Sequence, residues 1–362
     1  MDSVRARLEA VTPLFLAGAD PRGKVELRVP SIRGVLRFWL RALLGGVLGD
    51  SNLDTLRQAE ASVFGSTDTG ASPVVLRLVE EETGNVSFSN IVRREGKHYS
   101  PGIAYLFFAA RSTRDEPERQ AFAPGTRFRL ELGTRPGSGD SAGQALKLAY
   151  ASLWLLTHLG GLGTRSRRGA GGLQAIHEDA RPGDLPSLVI SSKEPTQLRT
   201  EFAEALKRLR SLVSTSRSAN PSSPSRFDVL HPAVCTIGLV NKLFDSWHTA
   251  LEAAGKTMQQ FRSRHNPVHR AAFGLPIVFR SRARLAGEIH RRRASPLLLR
   301  LIRLSGEKYV LVFTVFRAHL LAKGENLKLQ GRPAIVPDLT IIEDFLKDLE
   351  EKAGPLLEVT GW

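Results

Sequence analysis

The stretch FGSTDTGASPVVLRL, residues 64–78, has a second copy later in the chain. Phe64-Gly65 followed by ASPVVLRL recurs as Phe273-Gly274 followed by ASPLLLRL at residues 294–301. Chance matches of this length are uncommon. The spacer is longer in the second copy, because an arginine-rich segment lies between its Phe-Gly and its Ser-Pro. We therefore expect two related halves in this 362-residue chain.

Hydrophobic patterning in the first half predicts the order strand, helix, strand, strand, helix, strand. Residues 4–11 alternate small or apolar residues with charged ones, the period-two pattern of a half-buried strand. Ser31 is a candidate N-cap for the helix that follows. The other elements, predicted from apolar spacing and strand-forming composition, are a helix over 32–44, strands over 73–79, 103–109 and 128–132, a helix over 145–159 and a strand over 173–176.

The second half repeats this order. Its predicted elements are a strand over 229–236, a helix over 241–261, a hairpin of strands 297–304 and 309–316, a helix over 341–352 and a strand over 356–359. Both halves then have the split βαβ order of ferredoxin-like domains. The predicted fold class is α+β, with two ferredoxin-like (βαββαβ) domains in tandem: a first domain over 1–210, a Ser/Pro-rich linker or loop over 211–226, and a second domain over 227–362.

The charge balance points to a polyanionic partner. Lysine and arginine total 51 and aspartate and glutamate total 36, so the formal net charge is +15. A nucleic acid is the commonest partner of so basic a protein.

The single cysteine, Cys235, excludes an intramolecular disulfide and a multi-cysteine zinc site. The first residues lack the apolar core of a secretory signal, and apolar runs such as 309–313 are far shorter than the roughly 20 residues of a membrane helix. We expect a cytoplasmic protein that uses no membrane, no metal ion and no cofactor.

Three arginines form a stripe on the first predicted helix. Arg33, Arg37 and Arg41 are spaced by four residues, so they share one helix face, away from the apolar face. Like charges at this spacing repel one another by a few tenths of a kcal/mol per pair. A track of phosphates would offset that repulsion. The alternative is a solvated basic face whose arginine stems cover apolar surface.

A glycine-rich loop, GGLGTRSRRGAGGL at 160–173, combines small residues with cations and contains no acid. Its candidate RNA-binding residues are Gly161, Gly163, Arg165, Arg167, Arg168, Gly169 and Gly171. Neither the Rossmann nor the Walker A spacing occurs, and the loop follows a helix instead of preceding one, which argues against a nucleotide phosphate site. Glycines permit close approach of a backbone and arginines bind phosphate oxygens, which favours an extended nucleic-acid strand. A glycine-rich turn with surface arginines remains the alternative.

Residues 262–303 contain eleven arginines and one acid, Glu288. Arg291, Arg292 and Arg293 are consecutive, and Arg280, Arg282 and Arg284 alternate. This pattern predicts an exposed ribbon or loop that either binds RNA or docks on an acidic neighbour. The sequence leaves both outcomes open.

Catalytic signals are weak. His265 and His269 have the spacing of a metal pair, but Pro267 between them disfavours the helix that would bring them together. His158, just before the glycine-rich loop, could protonate a leaving 5′ oxygen in metal-free RNA cleavage. A structural histidine at a helix end is the competing interpretation.

Four motifs together resemble the RAMP superfamily of CRISPR effectors, and within it the first-numbered subunits of type III-B Cmr complexes. They are PSIRGVLRFWLRALLGG at 30–46, FGST with SPVVLRL at 64–78, the glycine-rich loop, and FGLP at 273–276 with RRRASPLLLRL at 291–301. The resemblance runs across nearly the whole chain in the expected order. One departure is that the matching connection of the second half keeps only Gly354, followed by Pro355.

The resemblance implies two RAMP domains and a non-catalytic RNA-binding subunit in antiviral defence. Such a subunit lies at the end of the Cmr filament distal to the guide's 5′ tag, near the guide RNA 3′ region and the paired target RNA, with other Cmr RAMP subunits as neighbours. Other members of the superfamily are guide-processing endonucleases, so a metal-independent CRISPR RNA endonuclease that uses His158 remains an alternative. A scaffold whose arginines dock acidic proteins is another.

Overall fold

The computed structural model describes residues 3–94, 96–213, 219–279 and 281–362. Up to residue 213 the elements in chain order are β1 (Ser3–Ala10), α1 (Val29–Leu48), α2 (Leu53–Phe64), β2 (Val74–Glu82), β3 (Asn85–Ser87), α3 (Phe88–Ile91), β4 (Arg93–Arg94), β5 (His98–Tyr99), α4 (Pro101–Leu106), a 3₁₀ turn (Phe108–Ala110), β6 (Gln120–Phe122), β7 (Arg127–Thr134), α5 (Ala142–His158), β8 (Leu173–Asp179) and α6 (Pro195–Ser211). From residue 219 onward they are β9 (Cys235–Val240), α7 (Trp247–Arg264), a 3₁₀ turn (His269–Phe273), β10 (Ile277–Val278), β11 (Arg284–Gly287), β12 (Leu297–Arg303), β13 (Tyr309–Phe316), β14 (Leu327–Leu329), β15 (Arg332–Ala334), α8 (Thr340–Ala353) and β16 (Leu356–Glu358).

Two four-stranded antiparallel sheets have the same strand order. The first is β2-β7-β1-β8 and the second is β12-β13-β9-β16. Counted within each sheet in chain order, both orders are 2-3-1-4. A third sheet, β10-β11-β14-β15, combines two strands from the longer spacer of the second copy with two strands that lie between β13 and α8. The protein is therefore a mixed α/β protein with several small sheets.

The repeated motif has the same place in both halves. Phe64 ends α2 and Phe273 ends a 3₁₀ turn, each followed by a glycine, and each Ser-Pro leads into the second strand of its sheet. Ser72 Oγ donates to the Val63 carbonyl oxygen 2.9 Å away, so this serine fastens the start of β2 to the end of α2. The repetition seen in the sequence is thus a repeated structural unit.

The two sheets share one hydrophobic core. The largest apolar cluster contains residues of α1, α5 and the first sheet together with Ile237 of β9 and Leu298 of β12. The other face of the second sheet, with Leu299 and Phe313, belongs to a second cluster that includes residues of α7 and α8. Covered on both faces, β12 is almost wholly buried. Within the described residues, no helix is both long and apolar enough to cross a membrane.

The apolar run at 103–109 was predicted as a strand, which is wrong. It forms α4 and part of a 3₁₀ turn, because Pro101 sits in the first turn of a helix, where its missing N–H costs nothing. Ile103, Leu106 and Phe107 are buried in the cluster that also contains α7 residues. A short apolar run has no clear period, so burial against α7 decided its conformation.

The structure differs from the predicted elements in three other places. Helix α1 begins at Val29, so Ser31 lies inside its first turn and does not cap it. The strand predicted over 229–236 starts at Cys235, after Pro232. Helix α2 was not predicted, although Asn52 caps it by accepting a hydrogen bond from the Thr55 N–H.

The predicted linker over 211–226 is partly ordered. Ser211 ends α6, and residues 214–218 lie outside the described residues. Asp50, just after α1, accepts hydrogen bonds from the Ser222 N–H at 2.8 Å and the Arg226 N–H at 2.6 Å. Burial acts to raise the pKa of Asp50, but hydrogen bonds from the Ser222 hydroxyl and from these two N–H groups outweigh it and lower the pKa. Residues 219–226 are therefore a loop tied to the end of α1.

Candidate nucleic-acid interface

The arginine stripe (Arg33, Arg37, Arg41) is partly neutralised within the protein. Glu60 of α2 lies 3.3 Å from Arg37 Nε and 2.8 Å from Arg41 Nη1. Arg37 also donates to the carbonyl oxygens of Phe64 and Gly65 at the end of α2, where a cation is favoured. The expected uncompensated repulsion is thus offset by α2. The Arg41 side chain nevertheless stays 45% exposed.

Arg33 differs from the other two. No ion pair of the described residues includes it, and its Nε is buried without a hydrogen-bond partner. Within the described residues, no carboxylate therefore pairs with its charge.

The glycine-rich loop connects α5 to β8, as predicted, and no helix begins after it. Its glycines pack against the chain itself: a Cβ on Gly171 would overlap the Leu162 carbonyl oxygen, and one on Gly169 would overlap the Leu251 side chain. Gly161 and Gly163 are confined in the same way by Ala170 and Phe15. The loop glycines do permit close approach, but the groups that approach them are the protein's own backbone and side chains.

The loop arginines point in different directions. Arg168 is only 6% exposed and its Nη2 donates to the Phe273 carbonyl oxygen at 2.7 Å. Arg168 is therefore not a surface arginine, because the second half of the protein covers it. Arg165 donates from Nε to the Leu106 carbonyl oxygen at 2.6 Å. Arg167 reaches an open groove, described next.

Arg167 and Arg293 converge on one carboxylate. Their Nη1 and Nη2 atoms each lie 2.8 Å from an oxygen of Asp228, whose side chain is only 4% exposed. The guanidinium of Arg167 also lies 5.1 Å over the ring of Phe38, in cation–π geometry. The loop and the arginine run at 291–293, 126 positions apart, thus meet at Asp228.

This meeting point is part of an open groove of about 590 Å³, the first groove. Its lining combines cations with apolar surface: Phe38, Arg41, Leu53, Leu56, Arg57, Glu60, Arg167, Phe227, Asp228 and Arg293. Four arginines against two carboxylates leave a net charge of +2. Arg57 is the most exposed of the four arginines, with 76% of its side chain accessible. Its Nη1 lies 3.9 Å from Asp54, which is 85% exposed, and an ion pair of this kind adds little stability in water.

A second groove, of about 640 Å³, shares Phe227 and Arg293 with the first. Its other lining residues are Ser222, Arg226, His290, Arg292, His319, Leu320, Leu321, Ala322 and Lys323, with no carboxylate among them. Arg291 and Arg292 are exposed. Arg282 is exposed as well, whereas Arg280 lies outside the described residues. The two grooves make a continuous basic surface, in which guanidinium groups suit phosphate oxygens and phenylalanine faces suit bases.

Comparison with known proteins identifies the family. The RAMP superfamily model matches residues 7–174, which include the arginine stripe and the glycine-rich loop. The CRISPR system Cmr subunit Cmr1-2 of Pyrococcus furiosus is 36% identical over 177 residues, which cover 46% of this chain and 91% of that relative. The chain belongs to the Cmr1 family of the RAMP superfamily.

Further similarities extend over the whole chain. Cmr1-1 of Pyrococcus furiosus is 28% identical over 333 residues, 86% of each protein. The crystal structure of apo Cmr1 from Pyrococcus furiosus matches with a TM-score of 0.68 at 22% identity, over 100% of both chains. A chain in the cryo-EM structure of the type III-B Cmr-beta bound to cognate target RNA matches with a TM-score of 0.60 at 13% identity, over 96% of this chain and 99% of that one. The Cmr1 fold therefore covers both halves.

His158 of this Cmr1-family chain is not placed for proton transfer. It is fully buried, stacks on Trp154 with centroids 4.0 Å apart, and its Nδ1 lies 2.9 Å from the Trp154 carbonyl oxygen. Burial, followed by the nearby charge of Arg300, lowers its pKa to about 3. The hypothesis that His158 acts as a general acid is wrong, because the ring is fully buried and burial favours its neutral form.

His265 and His269 do not form a metal site with a third ligand. His265 Nδ1 lies 2.7 Å from the Phe261 carbonyl oxygen and its ring stacks on Phe261. No group of three histidine, cysteine, aspartate or glutamate residues suited to a metal occurs in the part of the chain that the structure describes.

Sequence reasoning missed several residues of the first groove. Arg57 and Glu60 lie on α2, and Phe227 and Asp228 follow the predicted linker. The cap residue Asn52 and the helical spacing of Leu56, Val63 and Phe64 could have indicated α2. No local signal marks Asp228, since its two partners are distant in the sequence.

Proposed function

We propose that this Cmr1-family protein is a non-catalytic RNA-binding subunit of a type III-B CRISPR Cmr ribonucleoprotein in antiviral defence. The observation that carries the proposal is the first groove, where Arg41, Arg57, Arg167 and Arg293 come together from separate segments. Relatives named as Cmr subunits, and the similar chain in a Cmr particle bound to cognate target RNA, support it.

The two sheets with order 2-3-1-4 are, in this proposal, two ferredoxin-like RAMP domains. The first spans residues 1–210, the second spans 227–362, and the segment between them joins the two. The shared core argues that the domains move as one unit, since separating them would expose the apolar surface between α1 and the second sheet.

The ligand would be the guide RNA 3′ region and the paired target RNA, held beside other Cmr subunits. Arginine contacts to phosphates position a nucleic acid without reading its bases, while base pairing of the guide supplies specificity. This division of labour suits a groove whose polar groups are mainly guanidinium donors.

The groove supports binding more than cleavage. Its two carboxylates, Glu60 and Asp228, are each paired with two arginines, which supports a structural role for both. The histidine closest in sequence to the glycine-rich loop, His158, is buried. We therefore assign the protein a role in holding RNA.

The test is the salt dependence of RNA binding by the assembled complex, with and without Arg57→Ala in this subunit. Four phosphate contacts to single-stranded RNA predict a slope of log K against log salt of about −3, and loss of one contact should reduce its magnitude by about 0.7. Arg199→Ala is the matched control, because Arg199 is an exposed arginine on α6 away from the groove lining. An Arg57→Ala slope equal to the control slope would refute the role of the groove.

A further inference from the structure

A second set of arginines, the arginine cluster (Arg165, Arg168, Arg262), lies where the glycine-rich loop meets α4 and α7. Arg168 donates to the Phe273 carbonyl oxygen, and the guanidinium of Arg262 lies 5.7 Å over the Phe273 ring. Arg262 also lies 5.8 Å over the Tyr105 ring of α4. Arg165 donates to Leu106, the last residue of the same helix. Shared partners thus bring the three guanidinium groups together.

No carboxylate of the described residues lies within ion-pairing distance of these three arginines, whereas Arg167 and Arg293 share Asp228. Burial first, and then the charge of Arg262, lowers the pKa of Arg165 to about 10. Burial and then the charges of Arg165 and Arg262 lower the pKa of Arg168 well below its usual value. Guanidinium groups stay protonated at neutral pH, so three like charges remain side by side with little solvent.

The cluster also has unused donors. Arg168 Nη1 and Arg262 Nε are buried and have no hydrogen-bond partner. The ring faces of Tyr105 and Phe273 offset part of the charge of Arg262. Buried charges in proteins are normally paired and hydrogen-bonded. An anion from another molecule would pair with the positive charges and accept hydrogen bonds from the unused N–H donors.

An exposed aromatic residue borders the cluster. Phe108 keeps 52% of its surface exposed, and the guanidinium of Arg165 lies 4.8 Å from its ring centroid. A large apolar side chain left in water beside cations is the combination with which proteins hold single-stranded nucleic acid, where phosphates meet cations and bases stack on rings. A carboxylate of a partner protein would use the charge but leave the ring unused.

We propose that Arg165, Arg168 and Arg262 form an anion site for a phosphodiester group of single-stranded RNA, with a neighbouring base stacked on Phe108. Arg165 and Arg262 keep part of their surface and contact the phosphate, while the buried Arg168 acts through its charge. The inference rests on the proposed function for the identity of the ligand. It adds an RNA contact outside the first groove. The glycine-rich loop borders both sites, since Arg167 lines the first groove and the next residue, Arg168, belongs to the arginine cluster.

The experiment compares four full-length proteins: wild type, Arg262→Met, Phe108→Ala and, as a charge-matched control, Arg199→Met. The probes are a ten-nucleotide oligouridylate and a ten-residue polyglutamate, with affinity measured by fluorescence anisotropy. Arg262→Met and Phe108→Ala should each weaken oligouridylate binding by about tenfold, and Arg199→Met should weaken it by less than about twofold. Polyglutamate should bind no better to wild type than to Arg262→Met.

Thermal unfolding without ligand supplies the second measurement. Methionine keeps an apolar stem and removes one of three mutually repelling charges, so the unfolding midpoint of Arg262→Met should equal or exceed that of wild type. A lower midpoint together with control-like RNA affinity would show that the arginines are structural cations and overturn the site. Polyglutamate binding that is lost in Arg262→Met, with RNA binding unchanged, would overturn it in favour of an acidic protein partner.

Arg57→Ala, assayed in parallel, separates this site from the first groove. If Arg57→Ala weakens RNA binding and Arg262→Met does not, the arginine cluster is not an RNA site and the proposed function stands. If neither wild type nor any variant binds oligouridylate, the surface of the isolated protein is not an RNA-binding surface, and both proposals fail.

Discussion

The guanidinium of Arg300, in the second half, binds the main-chain oxygen of Gly160, 140 residues earlier, at the start of the glycine-rich loop. The same side chain donates to the carbonyl oxygens of Leu156 and Thr157 at the end of α5 and of Leu173 at the start of β8. A helix C-terminus leaves carbonyl groups without partners and favours a cation. One buried arginine of the second half therefore holds both ends of the loop.

Replacing Arg300 should be costly. Arg300→Met leaves several buried carbonyl groups without a donor, and we expect the free energy of unfolding to fall by about 3 kcal/mol. The control is Arg77→Met, because Arg77 has the same place in the repeated motif but is exposed on β2, and its effect should stay within about 0.5 kcal/mol. Urea unfolding measures both. Equal losses would contradict the assigned role of Arg300.

Stability should depend on pH through His158. Burial keeps its ring neutral in the folded protein, with a pKa of about 3, whereas the unfolded chain binds the proton near 6.5. This contribution to stability is complete above pH 6.5 and is lost as the pH falls toward 3, with a slope that approaches about 1.4 kcal/mol per pH unit. His158→Phe should show a flatter profile in denaturant titrations over this window. Parallel profiles would mean that His158 is protonated inside the fold.

Asp228 should oppose RNA binding while it stabilises the free protein. Asp228→Asn removes the carboxylate shared by Arg167 and Arg293, so the free energy of unfolding should fall by about 2 kcal/mol. The first groove gains a positive charge, and RNA affinity should rise by roughly fivefold. Asp245→Asn, which breaks an exposed pair with Lys308, is the control. Reduced RNA affinity in Asp228→Asn would show that the ion pairs are needed to shape the groove.

Close packing of the glycine-rich loop should make Gly171 irreplaceable. Gly171→Ala combines a φ of +65° with overlap against the Leu162 carbonyl oxygen, and we expect a loss of more than about 2 kcal/mol. Gly70→Ala has a φ of +87° but open space around the new Cβ, so backbone strain alone should cost about 1 kcal/mol. Thermal unfolding of the two variants measures the difference. Equal losses of stability in the two variants would show that overlap with the Leu162 carbonyl oxygen has no effect.

Local patterns in the sequence determined most elements of both sheets. Alternation of small and charged residues predicts β1, and helical spacing predicts α1, α5, α7 and α8. The repeated motif predicts two related halves, and the two sheets have the same strand order. Where a run is short and apolar throughout, as at 103–109, no local period distinguishes a strand from a helix, and contact with α7 decided it.

The sequence by itself determined the sign and amount of charge, and placed arginines on α1, in the glycine-rich loop and in the second half. Only the tertiary structure decided what each arginine does. Arg167 reaches the first groove, its neighbour Arg168 is buried, and Arg300 caps α5 from the other half. The reason is physical: a guanidinium on a long side chain takes the nearest acceptors in space, and for Arg165, Arg168 and Arg300 those acceptors lie more than 50 residues away along the chain.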